Sequence, residues 1–392
     1  MWRIGHMRRM MCRVCNHTQI NAMVTSPEGP GPDQGARPGR VRTPAMPAGL
    51  PDAGRDDDGT ARPAAGYSPR SSGTPSSGAP NSGQPSLNPI IHTRLTTPAL
   101  TGGFDLLGPV FTREVIHLRC AAPAGLEDGP WMGAAVRGAL GRVLEERAAN
   151  GGAGGRPDPF NRPSAFAILF QTQAMLTRRL EVPRPWRLRV QRRGRSLTVE
   201  IALYGFAGYW APAVADALVE ALAAGVSLRA LGRMRVPWPV EALEIRRITG
   251  LPTLPDTRLP DTSRPLVLDI ETPLALKAGG ALAGHLDNLP MMLADRASGL
   301  ARWHDIAIAG DFSALRTASR RLRIQADGLI PDRWERRSGR LAGRIIPMAG
   351  FRGRLILQDL DPAFALPLAI AADAHLGQGA TAGLGWFSVS ED

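Results

Sequence analysis

The closing stretch AHLGQGATAGLGWF, residues Ala374–Phe387, decides which fold this chain is expected to adopt. It lies between an apolar run that favours a helix and a short segment that favours a final strand. Its glycines are Gly377, Gly379, Gly383 and Gly385. Glycines at this density either turn backbone N–H groups toward a ligand or let two backbones approach closely. The residue types leave both interpretations open.

The spacing of these glycines excludes the common nucleotide-binding loops. A dinucleotide-binding loop needs G-x-G-x-x-G between a strand and a helix, whereas this loop reads G-x-G-x-x-x-G-x-G and only seven residues follow it. The chain also lacks G-K-[ST], which ends the phosphate-binding loop of NTPases. The alternative to a ligand-binding loop is a tight loop that glycine permits sterically.

The charge balance indicates an anionic partner. The formal net charge is +12, and Lys277 is the only lysine among 47 basic residues, so arginine carries the positive charge. A guanidinium group is a planar fork that binds phosphate and stacks on bases, so an arginine-rich surface suits RNA. The alternative is a soluble basic protein without a nucleic-acid partner.

Cysteine content and hydropathy exclude several other classes of protein. Cys12, Cys15 and Cys120 give no disulfide framework and fit a reducing cytoplasm. Cys12 and Cys15 with His17 make only half of a zinc site, so we expect no structural metal and no cofactor. No apolar run approaches the ~20 residues that span a bilayer, and the N-terminus lacks the apolar core of a signal peptide. We therefore expect a cytoplasmic protein with no membrane partner.

Residues 1–105 differ in composition from the rest of the chain. Pro, Gly, Ser, Ala and Arg dominate this stretch, and residues 67–89 contain hardly any large apolar side chain. Such a segment buries too little surface to offset the entropy lost on ordering. We predict a disordered N-terminal tail over residues 1–105.

The remaining chain shows the same order of strands and helices twice. The first series has a strand at 114–120, a helix at 131–147, a hairpin at 187–190 and 197–203, a helix at 211–224, and strands at 226–235 and 240–248. A linker rich in Pro and Thr spans 249–264. The second series has a strand at 266–271, a helix at 286–306, strands at 321–324 and 352–358, a helix at 362–374 and a strand at 386–389. Because the strands come in hairpin pairs between helices, we predict an α+β fold with two ferredoxin-like β-α-β-β-α-β domains, at 106–255 and 262–392.

A dense arginine run precedes the closing loop. The segment RWERRSGR, Arg333–Arg340, holds four arginines and Trp334 in eight residues. Cations interleaved with a stackable aromatic ring suit single-stranded or hairpin RNA, and the alternative is a solvated basic loop with Trp334 packed in the core. The residues we predict to bind RNA are Arg333, Arg336, Arg337, Arg340, Arg352 and the four loop glycines, Gly377, Gly379, Gly383 and Gly385.

Three histidines are candidates for a general acid or base. His375 adjoins the glycine loop and a predicted helix end, so it is our first choice. His304 follows Trp303 at another predicted helix end, where the helix dipole alone would explain a histidine. His117 lies within a predicted strand, where a structural role is the alternative. The chain has no G-x-S-x-G elbow and no H-E-x-x-H, and its acidic cluster at 56–58 lies in the predicted tail, so two-metal phosphoryl chemistry is not indicated.

Several of these segments resemble the CRISPR repeat-processing endoribonucleases of the RAMP superfamily. Residues 333–340 are similar to the family's Arg/Tyr-Ser-x-Arg segment, with Ser338 and Arg340 at the shared positions. Residues 348–353, MAGFRG, are similar to its G-G-hydrophobic-x-G segment, and residues 375–385 are similar to its closing His-apolar-Gly…Gly-Leu-Gly loop. Residues 136–141 resemble the helix that opens the first domain. The resemblance extends over residues 110–392 and is strongest after residue 333.

The resemblance implies tandem ferredoxin-like domains and a metal-independent endoribonuclease that binds CRISPR precursor RNA and cuts it within the repeat hairpin, in antiviral defence. In such enzymes the 2′-hydroxyl attacks the adjacent phosphate, which leaves a 2′,3′-cyclic phosphate and a 5′-hydroxyl and needs a base, an acid and cations.

The alternative is a non-catalytic RAMP subunit that binds crRNA beside the other subunits of a CRISPR effector complex. A third possibility is a basic protein unrelated to CRISPR RNA. Gln378 and Ala349 depart from the family pattern, since many relatives have lysine and glycine there.

Overall fold

The structure is a computed structural model that describes most of the chain after residue 88. It covers residues 89–391 except 127–128, 130, 151–162, 173, 178–179, 228–234, 252–258, 279–280, 283–285 and 338–344. Residues 1–88 of the predicted tail lie outside the described residues. The described residues all belong to one compact unit.

The elements up to residue 249 contain the first predicted series. In chain order they are α1 (Pro89–Thr96), β1 (Leu100–Gly102), α2 (Leu107–Val110), β2 (Thr112–Ala121), α3 (Trp131–Ala149), β3 (Met175–Thr177), β4 (Leu180–Glu181), β5 (Trp186–Arg193), β6 (Ser196–Tyr204), α4 (Ala211–Ala223), β7 (Val226–Ser227), β8 (Arg235–Val236) and β9 (Val240–Thr249). The alternation that predicts a strand over 114–120 and the apolar helix face that predicts a helix over 131–147 thus both correspond to observed elements.

The elements after residue 265 contain the second series. They are β10 (Leu266–Leu274), β11 (Lys277–Ala278), β12 (Ala281–Leu282), α5 (Leu289–Ala301), β13 (Ile306–Ile308), α6 (Phe312–Ser319), β14 (Arg323–Arg337), β15 (Ile345–Gln358), α7 (Ala365–Ala374) and β16 (Phe387–Glu391). Helix α6 has no counterpart in the prediction. It begins at Asp311, whose carboxylate accepts hydrogen bonds from the N–H groups of Ser313 and Ala314, an N-cap that sequence inspection overlooked.

The sheet topology confirms the predicted α+β fold with two ferredoxin-like units. One four-stranded antiparallel sheet has the order β5-β6-β2-β9, and the other has the order β14-β15-β10-β16. In each sheet the first strand of the series lies between the third and the fourth, which is the order that a β-α-β-β-α-β chain gives when its helices share one face. The domain limits 106–255 and 262–392 stay a prediction.

Residues 89–105, which the sequence assigns to the tail, form regular structure instead. Strand β1 pairs in parallel with β13, so that Leu100 lies opposite Ile306 and Gly102 opposite Ile308. Helix α1 buries Ile91 and Leu95, and each such side chain contributes roughly 1.5–3 kcal/mol when fully buried. Local composition does not predict this short segment, because its partner strand lies about two hundred residues later in the sequence.

The hydrophobic core is continuous between the two halves of the described chain. The cluster built on β2, β6, α3 and α4 also contains Trp303, Ile306, Ile370 and Ala374 from the second half. A second cluster lies between the β10-containing sheet and helices α5 and α7. Among the helices that the structure describes, none has the length and apolar character needed to cross a membrane.

Helix α3 approaches the closing loop so closely that one of its glycines leaves no room for a side chain. A Cβ atom added at Gly133 would lie 2.2 Å from the carbonyl oxygen of Ala382. Gly138, five residues further along the same helix, is exposed, and no atom lies within 4 Å of the position of its missing Cβ. Substitutions at Gly133 and Gly138 therefore compare a tightly packed position and an open position of the same helix.

We expect Gly133→Ala and Gly138→Ala to change stability in opposite directions. The first should lower the free energy of unfolding by roughly 1–3 kcal/mol because it overpacks the contact with the closing loop. The second should raise it by about 0.5–1 kcal/mol because alanine is the better helix former. Urea unfolding followed by circular dichroism measures both. Equal effects of the two substitutions would contradict the close approach at Gly133.

Candidate functional site

The N-terminal sheet has one face packed on helices α3 and α4 and a second face, which we call the open face. Leu197, Val199 and Ile201 of β6 are buried in the core, and the side chains between them point the other way because successive side chains of a strand alternate. Across the strands in the order β5, β6, β2 and β9, one row on the open face is Arg187, Ala202, Val115 and Arg246, and the next is Arg189, Glu200, His117 and Glu244.

The C-terminal end of α7 lies against part of the open face through the carboxylate of Asp373. The hydroxyl of Tyr204 donates to Oδ2 of this carboxylate at 3.0 Å, and Nε of Arg113 is 3.3 Å from the same oxygen. Nη2 of Arg187 is 3.6 Å from Oδ1. Burial would raise the pKa of this carboxyl, but the surrounding guanidinium groups, that of Arg187 first, outweigh burial and hold it below its ordinary value. We call these four residues the Asp373 cluster.

Arg187 and Arg189 extend this cluster to Glu200 and to the backbone at the end of α7. Arg187 forms a close ion pair with Glu200 and donates from Nε to the carbonyl oxygen of Asp373 at 2.8 Å. Arg189 donates from Nη2 to the carbonyl oxygen of Ala372 at 3.2 Å. The last carbonyl groups of a helix have no partners within the helix, so the two guanidinium groups satisfy the end of α7 and complement its dipole.

His375, our first candidate for general acid or base, is fully buried in this structure. Its Nδ1 donates to the carbonyl oxygen of Leu384 at 3.1 Å, and its Nε2 accepts from Nε of Arg189, also at 3.1 Å. Burial, and then the positive charge of Arg189, lowers its pKa well below the ordinary value. The ring is therefore neutral, carries its proton on Nδ1, and links the closing loop to β5.

The backbone of the closing loop is held by other backbone groups. The N–H groups that donate to carbonyl oxygens of the protein include those of Leu376, Gln378, Ala382, Leu384 and Gly385. Gly385 has φ of 71°, and a Cβ there would lie 1.8 Å from the carbonyl oxygen of Leu376. Of the two interpretations that the sequence leaves open, this geometry corresponds to close backbone approach. Contact of the four loop glycines with RNA stays a prediction.

His304 lies at another contact between the two halves of the described chain. Its Nδ1 is 3.1 Å from the carbonyl oxygen of Leu300, and its Nε2 is 3.0 Å from both the nitrogen and the carbonyl oxygen of Thr112. The ring stacks on Phe111 with centroids 4.9 Å apart. Burial lowers the pKa of His304, so this imidazole is also neutral and has both nitrogens occupied.

His117 lies on the open face, in the same row of side chains as Arg189. It is half-buried, and the strand register places it directly between Glu200 on one neighbouring strand and Glu244 on the other. Among the residues that the structure describes, none forms a hydrogen bond or an ion pair with its ring, and no group of three or more His, Cys, Asp or Glu side chains is placed to hold a metal ion.

The arginine run lies on a two-stranded ribbon. The pairing of β10 with β15 ends at Leu274 and Phe351, whereas β14 and β15 stay paired from Pro331 and Phe351 to Arg337 and Ile345. We call this extension the ribbon, and it includes Arg333, Arg336 and Arg337. The sequence predicts strands only over 321–324 and 352–358, because charged residues interrupt the alternation beyond them.

The predicted RNA-binding arginines differ in how exposed and how well paired they are. Arg333 is exposed, and Trp334 is half-buried opposite Met348. Arg352 lies at the base of the ribbon, where Nη2 is 3.2 Å from Oδ1 of Asp332, so an internal carboxylate already neutralises it. Arg340 lies outside the described residues. Arg333, Arg336 and Arg337 thus lie on one ribbon, and RNA binding by the predicted arginines stays a prediction.

Sequence reasoning missed the charged residues between the two halves of the described chain. Arg113, Arg187, Arg189, Glu200 and Asp373 were not singled out. One signal was present, because Arg187 and Arg189 alternate with apolar residues on a predicted hairpin strand, opposite a strand of the same hairpin that contains Glu200. Charged residues that alternate in this way on a partly covered strand indicate a buried charge cluster or a polar site.

Comparisons with known proteins give a partial match and distant structural similarities. A family model described as an N-terminal domain matches residues 109–253. No curated protein matches the chain. Similar solved structures include a product complex of Cas6 from Thermus thermophilus (13% identity, 71% of this chain and 100% of that chain covered, TM-score 0.44). Another Cas6 product complex has 16% identity, the same two coverages and a TM-score of 0.43. A Cas6-related protein from Pyrococcus furiosus has 10% identity, coverages of 71% and 99%, and a TM-score of 0.39. Similarities of this size assign no activity to the chain.

We expect Asp373→Asn to lower stability far more than the loss of a surface carboxylate. The substitution leaves the buried guanidinium groups of Arg113 and Arg187 without their counter-charge, which should cost about 3 kcal/mol. Glu220→Gln is the matched control, because Glu220 pairs with Arg147 on the exposed surface of α4 and should contribute less than about 1 kcal/mol. Urea unfolding at pH 7.5 compares the two variants. A loss at Asp373 no larger than that at Glu220 would show that the Asp373 cluster does not hold the fold.

The two buried histidines should make the protein less stable in mild acid. Each has a folded-state pKa below the ordinary value, so the unfolded chain binds more protons as the pH falls below about 6.5. The stabilisation is complete above that pH and is lost as the pH falls toward the folded-state pKa. For His375 the loss between pH 7.5 and pH 5.5 should be about 1.4 kcal/mol.

This pH effect can be measured by urea unfolding at pH 7.5 and pH 5.5. His375→Gln should reduce the stability difference between the two pH values by about 1.4 kcal/mol, since one neutral buried imidazole is removed. His92→Gln is the control, because His92 is exposed on α1. If His375→Gln retains the full wild-type difference, the buried imidazole does not have the protonation state that its hydrogen bonds require.

Proposed function

We propose that this protein binds CRISPR repeat RNA and cuts it by metal-independent transesterification. The observation that supports this most directly is the ribbon. It extends Arg333, Arg336 and Arg337 beyond the edge of the C-terminal sheet, on a chain with a net charge of +12. Guanidinium groups on an extended ribbon can follow a phosphate backbone, and Trp334 adds an aromatic ring near them. The segments that carry this ribbon and the closing loop are those that resemble the repeat-processing endoribonucleases.

The three candidate histidines take different parts in this proposal. His375 is fully buried, His304 is half-buried, and both have their two ring nitrogens in hydrogen bonds, so they suit a positioning role between the two halves of the described chain. A group that exchanges a proton with RNA has to come within hydrogen-bond distance of it. His117 has the half-exposed position that such a group needs.

A second candidate function is a non-catalytic subunit that holds crRNA in an effector complex. The observation that favours it is that His375 and His304 have both ring nitrogens in internal hydrogen bonds, which leaves fewer groups for acid–base chemistry. Incubation of the purified protein with labelled repeat RNA in EDTA separates the two functions. Cleavage that leaves a 2′,3′-cyclic phosphate supports the nuclease, whereas binding without cleavage supports the subunit. The RNA should be a CRISPR repeat hairpin, with a scrambled hairpin as its control.

Replacement of two ribbon arginines should weaken RNA binding and reduce its salt dependence. We expect Arg333→Gln with Arg336→Gln to weaken binding about tenfold or more, and to lower the slope of log Kd against log salt by about 1.4 if each arginine contacts one phosphate of a single strand. Arg320→Gln with Arg321→Gln removes the same charge just after α6, on the helical layer, and is the control. Fluorescence anisotropy between 50 and 200 mM salt measures both. If both double variants weaken RNA binding equally, binding depends on the net charge of the protein and not on the position of these arginines.

A further inference from the structure

We propose that the RNA is cut on the open face of the N-terminal sheet, by His117 as general acid and Glu244 as general base. This assignment rests on the proposed nuclease function and adds a site to it. The site is a row of side chains that crosses all four strands: Arg189 on β5, Glu200 on β6, His117 on β2 and Glu244 on β9.

The strand register brings these groups within reach of one another. Side chains that are directly opposite on antiparallel strands have Cβ atoms about 4.5–5.5 Å apart, and all four members of the row point to the same face. His117 therefore has a carboxylate on each side. The next row toward the exposed end of the face contributes Arg119, and the previous row contributes Arg246. A carboxylate, an imidazole and several guanidinium groups thus share one patch of the sheet.

The two carboxylates of the row differ in a way that distinguishes their roles. Glu200 is about one-fifth exposed and is engaged by Arg187 and Arg189. Glu244 is more than half exposed, and its one ion pair in the described residues is with Arg246 at 3.2 Å, which is equally exposed. Glu200 is therefore held by Arg187 and Arg189, while Glu244, paired only with an exposed arginine among the described residues, can accept a proton from a ligand. The guanidinium group of Arg246 is close to the carboxylate of Glu244 and can stabilise negative charge that forms near it.

Hydrogen bonding distinguishes His117 from the other candidate histidines. His375 is fully buried and His304 is half-buried, and both use their two ring nitrogens for internal hydrogen bonds. His117 is half-exposed and has no hydrogen bond among the described residues. A purely structural histidine on a sheet is expected to be buried or to have a partner. A half-exposed imidazole between two carboxylates, without a hydrogen bond of its own, instead has a nitrogen available for a ligand.

The reaction on this face can be balanced with these groups alone. The carboxylate of Glu244 takes the proton of a ribose 2′-hydroxyl, and the 2′-oxygen bonds to the adjacent phosphorus. The bond from phosphorus to the 5′-oxygen breaks, and protonated His117 gives its proton to that oxygen. One fragment ends in a 2′,3′-cyclic phosphate and the other begins with a 5′-hydroxyl. Arg119 and Arg246 stabilise the negative charge on the phosphorane, and exchange with solvent restores both proton carriers.

Single-turnover cleavage of the repeat RNA in EDTA tests this assignment. We expect His117→Ala and Glu244→Gln each to slow cleavage by about 10²–10⁴-fold with little change in Kd, since removal of a general acid or base affects the transition state rather than binding. His92→Ala, on exposed α1, and Glu220→Gln, on α4, are the matched controls and should cut at the wild-type rate. Added imidazole should restore part of the rate of His117→Ala, which a structural role would not permit.

The possible outcomes distinguish this assignment from the proposed function. Wild-type cleavage with an unchanged rate in His117→Ala would overturn the assignment and leave the nuclease proposal intact. Binding of repeat RNA without cleavage by the wild type would overturn both the nuclease and this site, and would leave the non-catalytic subunit. Failure of the wild type to bind the repeat RNA in preference to the scrambled hairpin would overturn the proposed function itself. Circular dichroism of each variant shows whether a lost rate reflects a lost fold.

Discussion

The buried carboxylate of Asp373 is the interaction on which the arrangement of the two sheets depends. It lies at the end of α7 and meets guanidinium groups from two strands of the N-terminal sheet and the hydroxyl of Tyr204. A charge can be buried at this depth only if its partners are fixed in place. The same residues therefore set where α7 ends on the open face, and hence how much of that face stays exposed.

His375 and His304 make further contacts between the two halves of the described chain. His375 donates from Nδ1 to the carbonyl oxygen of Leu384 and accepts at Nε2 from Arg189, which a neutral imidazole can do and an imidazolium cannot. His304 has Nδ1 near the carbonyl oxygen of Leu300 and Nε2 near the backbone of Thr112 in the other half of the described chain. The closing loop is thus attached to β5 through His375, and the start of β2 is attached through His304. The two histidines thus join the two halves of the described chain.

Local sequence patterns predict much of this fold, and long-range partners account for what they do not predict. Alternation in β2, the hairpin at 187–203 and the repeated element order led to the observed topology. The burial of His375 could not be read in this way, because Arg189 is 186 positions away in the chain. For the same reason the ribbon was predicted too short, since pairing with residues 345–351, and not their own alternation, makes residues 331–337 a strand. Both cases concern residues whose environment is supplied by another segment.

The parallel pairing of β1 with β13 has a consequence for the order in which the protein can form during synthesis. Residues 100–102 leave the ribosome before any part of the N-terminal sheet, yet their partner at 306–308 follows about two hundred residues later. At roughly 5–20 residues per second this delay is ten seconds or more, which is long compared with the folding of a small domain. Strand β1, the first in the described part of the chain, is therefore among the last to be paired. Its edge stays exposed on the nascent chain until residues 306–308 have been synthesised.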